Sequence, residues 1–170
     1  MRTLVEAGTV LKSAAQILFA WVALAGSGAV SAAQRLESLD NFPQSYADVS
    51  SRDGLQRFKI WIADTSARSE QGLMFVRSLG HDRGMLIPRS NPGRMAIWMK
   101  NTFIPLDILF LDAQGQIIFI RRNATPESTA IISVPAPMTT PAQAVLELAG
   151  GECDRRQISQ GDVFHLTQPR

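Results

Sequence analysis

From Arg57 onward the apolar residues fall in short runs, each closed by glycine, proline, asparagine or aspartate. That punctuation argues against a coiled coil, which needs a sustained period near 3.5 residues. Phe58, Ile60 and Ile62 alternate with Lys59, Trp61 and Ala63, the period-two pattern of a strand. Met85-Leu86-Ile87 is a brief strand ended by Pro88, and Asn91-Pro92-Gly93 is a turn. Strands are expected at 95–100, 106–112 and 116–122, the last two joined as a hairpin through Ala113-Gln114-Gly115. Ala130-Ile131-Ile132, Val145-Leu146-Glu147-Leu148 and Val163-Phe164-His165-Leu166 are further candidates, and Gly161-Asp162 marks the turn before the last. Asp64, Thr65 and Ser66 offer N-cap oxygens for one short helix over 67–75. The expected fold is mostly β: a compact antiparallel sandwich or barrel-like domain with one short helix, over residues 57–168.

Residues 34–56 are polar and without a period, and read as a spacer. Residues 1–33 have the layout of a signal peptide. Arg2 and Lys12 precede the apolar run Ile17-Leu18-Phe19-Ala20-Trp21-Val22-Ala23-Leu24-Ala25, and small residues lead to Val30-Ser31-Ala32-Ala33. Cleavage is expected after Ala32 or Ala33. Without a twin-arginine pair the general secretory route is expected, to the periplasm or beyond. The alternative is a retained anchor, since the 21 residues from Ser13 to Ala33 carry no charge and are long enough to span a bilayer.

Removing 33 residues from 170 leaves 137, enough for one domain that buries roughly two-thirds of its unfolded surface. The leader takes Arg2 and Lys12 from 17 basic residues and Glu6 from 15 acidic ones, so the net charge falls from +2 to +1. So small a charge argues against a nucleic-acid partner. Cys153 is the only cysteine, so no internal disulfide forms despite an oxidising destination, and the thiol is read as incidental.

Several segments in order carry a resemblance. They are Ile62-Ala63-Asp64-Thr65, Arg68, Gln71-Gly72-Leu73-Met74, Arg83-Gly84-Met85-Leu86 and Ile97-Trp98-Met99-Lys100-Asn101-Thr102. Ile104-Pro105-Leu106-Asp107-Ile108-Leu109-Phe110, Val145-Leu146-Glu147-Leu148-Ala149-Gly150 and Gly161-Asp162-Val163 complete the series. This string resembles the bacterial and archaeal family called domain of unknown function 192, over about residues 57–167, most specifically at 98–110. The resemblance implies a mostly β domain, often behind a secretion signal, and brings no activity. One departure is Ile87-Pro88-Arg89, where the family pattern leads one to expect an aromatic.

The catalytic inventory is thin. His81 and His165 are far apart and have no companions at metal-ligand spacing, and neither a nucleophile elbow nor a phosphate loop is present. No cofactor and no metal are expected. Charged and polar residues inside apolar strings are the candidates: Arg68, Trp98, Lys100, Asn101, Asp107 and Glu147. If 95–100 and 106–112 pair as a hairpin, Lys100 and Asp107 meet at its closed end with Trp98 as an aromatic floor. The simpler reading makes Lys100–Asp107 and Arg68–Glu147 internal ion pairs that fix the fold. The leading function is binding, by a monomeric domain, of a small molecule or an envelope protein, with no membrane contact after leader cleavage. A hydrolase using Asp107 or Glu147 as base, with Lys100 or Arg68 stabilising an anion, is the competing class. Met74, Met85, Met95, Met99 and Trp98 raise copper(I) binding as a third, against which stands their ordinary use as core filler.

Overall fold

A computed structural model describes residues 36–167; the leader expected over 1–33 lies outside them. A 3-10 turn at Leu39–Asn41 precedes strand β1 (Gln44–Ser51), which returns through Asp53-Gly54 into β2 (Gly54–Ile62). Helix α1 (Ser66–Gln71) leads to β3 (Arg83–Gly93), the short β4 (Ala96–Ile97), β5 (Leu106–Leu111) and β6 (Ile117–Ala124). The two-residue β7 (Ile132–Ser133), β8 (Ala142–Ala149), helix α2 (Glu152–Arg155) and β9 (Val163–Thr167) complete the chain. Seven strands form one sheet in the order β6-β5-β8-β3-β2-β1-β9, and β4 pairs with β7 apart from it.

The fold is thus mostly β, with the main sheet curled into a half-barrel. Its two edges meet at one end, where Gln116 bridges Val163 and the Phe164 amide donates to the Gly115 carbonyl at 2.8 Å. All pairs in the sheet are antiparallel except β2–β3. Parallel neighbours cannot be joined by a tight turn and need a crossover, and α1 lies in that crossover. Thr65 caps α1 by accepting from the Arg68 amide, and Gly72 ends it at φ 49°.

Each face of the sheet carries its own core. Ala47, Val49, Phe58, Ile60, Leu86, Leu109, Leu111, Leu146 and Leu148 fill the concave interior, together with Cys153 and Ile158 from the α2 region. Met85, Ile87, Leu106, Ile108, Phe110 and Val145 face the other way, under Phe42, Leu73, Met95 and Met99. Successive side chains of a strand point to opposite faces, so the near-continuous burial of β5 and β8 follows from their central place between two cores.

The structure corrects four expectations. Residues 44–51 are no spacer: β1 lies inside the sheet with Ala47 and Val49 fully buried. Its apolar side chains are small, and its polar Asp48 is buried by pairing with Arg57 directly across the hairpin at 2.7 Å. The strand expected at 95–100 shrinks to Ala96–Ile97, because Thr102 closes a turn onto the Met99 carbonyl and Asn101 adopts φ 56°. No 95–100/106–112 hairpin forms; β5 pairs with β6 and β8 instead. A second helix, α2, also appears.

Gly115 sits at the seam with φ 81°, and a Cβ there would lie 2.4 Å from the Phe164 carbonyl oxygen. Gly115→Ala combines a left-handed backbone penalty with a backbone clash, and is expected to cost about 2–4 kcal/mol. Urea unfolding checks this: the midpoint should fall well below that of Gly161→Ala, whose added Cβ meets nothing within 4 Å at φ 97°.

Candidate functional site

Asp107 and Glu147 are both buried, on opposite faces of the sheet. Asp107 points into the concave core with Leu109 and Leu111. Its Oδ1 accepts the Asn123 amide at 2.8 Å and its Oδ2 accepts the Cys153 amide at 2.8 Å. Asn123 lies at φ 46° where the β5–β6 register shifts, and Cys153 lies in the first turn of α2, whose N-cap Gly151 has no side chain to offer. Asp107 therefore anchors a bulge and supplies a helix cap from a distance. Burial pushes the Cys153 thiol far above its usual range, helped by the nearby Asp107 carboxylate, which makes it inert as a nucleophile.

Arg68 lies on α1 and holds the segment ahead of β1. Its guanidinium donates to both Glu37 oxygens (3.0 and 2.7 Å), to Asp64 (2.7 Å) and to the Asn41 carbonyl (3.1 Å), and lies over the Phe42 ring. Hydrogen bonding to Arg68 holds the Glu37 carboxyl below its ordinary range. The partners of Arg68 are thus Glu37 and Asp64. Lys100 lies with its ammonium 5.0 Å from the centroid of Trp98, which is 45% exposed. The expected Lys100–Asp107 and Arg68–Glu147 pairs do not form.

Asn101 links the covering loops. Its carbonyl accepts the Phe75 amide at 2.8 Å, and its Nδ2 lies 3.9 Å from the Met74 sulfur. Phe75 and Phe103 pack edge to face at 5.6 Å, with Arg77 over the Phe103 ring. Met85, Met95 and Met99 are buried in the apolar cluster of this face, as core filling requires. Among the described residues no group of three or more His, Cys, Asp or Glu side chains is placed to hold a metal, and no helix is long and apolar enough to cross a membrane.

Glu147 is the exception among these residues. It is 5% exposed, and its Oε2 is buried with no hydrogen-bond partner. The loop after α1 passes close by: a Cβ on Gly72 would lie 3.9 Å from Oε2. Burial alone pushes the Glu147 carboxyl up to about 7, because its charged form is desolvated with no compensating donor.

Two further groups on this face carry no warning in the sequence. Trp61 Nε1 and Arg83 Nη1 are also buried without partners, and the Arg83 guanidinium lies 4.8 Å from the Trp61 ring centroid. Trp61 stands among apolar residues of a strand, where a tryptophan reads as packing; its only signal is the face it takes opposite Phe58 and Ile60. A separate network surrounds Glu152 of α2. Burial would raise this carboxyl, but hydrogen bonds with Arg155, His81 and Arg156 hold it below its ordinary range. These bonds tie α2 to the turn before β3.

The fold and sequence have known counterparts. A protein of unknown function from Novosphingobium aromaticivorans is similar at 32% identity and TM-score 0.71, covering 77% of this chain and 91% of that one. A Sinorhizobium meliloti protein, proposed to be a transcription regulator, is similar at 33% identity and TM-score 0.68, covering 74% of this chain and 95% of that one. No curated protein matches the chain. The family model DUF192, described as "Uncharacterized ACR", matches residues 47–166, from within β1 into β9, and the chain belongs to that family.

Proposed function

We propose that the chain is exported by the general secretory route, loses its leader after Ala32 or Ala33, and works in the periplasm as a binding domain for a small polar ligand. The observation that carries the binding site is the buried Glu147 carboxyl, whose Oε2 has no hydrogen-bond partner between apolar strands and covering loops. An unpaired buried carboxyl weakens a fold, and binding is a use that offsets the cost. Trp98, Lys100 and Asn101 belong to the loop that covers this face. Arg68 supports the site by holding the segment ahead of β1 over this face, whereas Asp107 serves the opposite face. The regulator proposal attached to the Sinorhizobium relative is not carried over, because a mature net charge of +1 supplies no attraction for nucleic acid.

The test has two parts. Fractionation of the cells should place the protein in the periplasm, with its N-terminus at Ala33 or Gln34; an intact leader on cytoplasmic protein overturns export. Mass spectrometry of protein purified from that fraction should find a small molecule in the wild type that Glu147→Leu lacks. Identical profiles overturn the site.

A second reading rests on the same carboxyl. A group pushed up to about 7 by burial is matched to general acid–base work near neutral pH. Glu147, rather than Asp107, would serve in a hydrolase, since both Asp107 oxygens already accept backbone amides. Turnover of ester or glycoside probes, abolished by Glu147→Gln, would favour this reading over binding alone.

A further inference from the structure

Strand register places Glu147 beside the other two unpartnered groups. Trp61 pairs with Met85, Met85 with Glu147, and Glu147 with Ile108, so these residues form one row across β2, β3, β8 and β5 on the loop-covered face. Strand spacing puts the Trp61 and Glu147 backbones about 10 Å apart. Arg83, two residues before Met85, is the diagonal neighbour of Glu147 on that face, at roughly 7–8 Å between backbones. Three buried side-chain polar atoms without a hydrogen-bond partner lie here: Trp61 Nε1, Arg83 Nη1 and Glu147 Oε2.

We infer that Trp61, Arg83 and Glu147 form a binding site for a small carboxylate, an inference that rests on the Glu147-centred reading above. An indole N–H and a guanidinium only donate hydrogen bonds. A carboxyl kept protonated by apolar surroundings donates as well. Three donors and one positive charge fit an anion, and the guanidinium fork matches the two oxygens of a carboxylate. A cationic ligand would instead face Arg83.

The other charged groups on this side have their own positions. Arg68 of α1 pairs with Glu37 and Asp64, Arg77 lies over Phe103, and Lys100 lies over Trp98. Glu70 lies on α1, Lys59 shares the face of Trp61 on β2, and β5 presents only Leu106, Ile108 and Phe110. Because Glu147 binds the anion in its protonated form, affinity should be flat between the titration of the ligand's own carboxyl and that of Glu147, and fall on the acid side as the ligand itself takes up a proton. It should also fall by about tenfold per pH unit above the Glu147 midpoint.

Nuclear magnetic resonance on the purified protein tests this with acetate, methylammonium and inorganic phosphate as separate probes. Two signals are read: the Trp61 indole N–H, identified through Trp61→Phe, and the Glu147 side-chain carboxyl across pH. Acetate should move the indole signal and raise the Glu147 midpoint. Both effects should be lost in Arg83→Met and weakened in Arg83→Lys, which keeps the charge without the fork. A lowered midpoint with methylammonium, or a response to phosphate alone, overturns the carboxylate class. If no probe moves either signal, the carboxylate inference fails; if Glu147→Leu also carries the same co-purifying molecules as the wild type, the Glu147-centred reading fails with it.

Discussion

Asp107→Ala is expected to lose about 3–5 kcal/mol of stability. The carboxylate accepts two backbone amides in the concave core, each at 2.8 Å. A hydrogen bond to a charged group contributes about 1.5–3 kcal/mol, and removing the acceptor leaves buried donors that find no substitute. Those donors belong to a strand bulge and a helix first turn, so the loss reaches the α2 segment, whose Cys153 and Ile158 fill the core. Against a total stability of about 5–15 kcal/mol this is a large fraction. Asp107→Asn keeps one accepting oxygen at nearly the same volume and should lose about half as much. Urea unfolding of both variants decides the matter. An Asp107→Ala midpoint close to the wild type would mean that water replaces the carboxylate.

Asp107 also shows how far the sequence alone reaches. A charged residue inside Leu106-Asp107-Ile108-Leu109 is conspicuous, and the alternation placing it with Leu109 and Leu111 is visible without coordinates. Its partners are not, because the Cys153 amide lies 46 residues away and no local pattern encodes that distance. The same division runs through the fold. Strands β2, β5, β6, β8 and β9 announce themselves because their apolar residues are large and their turns carry glycine or aspartate. Strand β1 escapes notice: Ala47 is small, and Asp48 is buried through a cross-strand arginine rather than by being apolar. The stretch around Trp98 misleads in the opposite direction. Its apolar character comes from covering the sheet, with Met99 as the buried anchor, while Asn101 bends the chain away from any hairpin. For the site, Glu147 is legible as a charge in an apolar string. Trp61 and Arg83 become its neighbours only through the order β2-β3-β8, which brings together strands far apart in the chain.

Glu147 leads to the second large effect, a stability that falls as pH rises toward neutrality. Burial raises its folded-state value from the ordinary 4.5 to about 7, so between these limits the native protein holds a proton that the unfolded chain has released. The stabilisation is complete below about 4.5 and is lost as pH rises through about 7. Two and a half pH units correspond to about 3 kcal/mol. Carboxylates such as Glu37 and Glu152, held below their ordinary range by arginine, act in the opposite sense and weaken the fold at acid pH. Their contribution is common to wild type and variant, so the comparison with Glu147→Gln isolates the buried group. The neutral variant should lack this loss between pH 4.5 and 7, and by pH 8 the wild type should have fallen relative to it by about 3 kcal/mol. Parallel pH curves for the two proteins would show that Glu147 is hydrated or paired in solution. A carboxylate ligand held through a protonated Glu147 should sharpen the contrast, because its binding stabilises the native state most where the proton is retained.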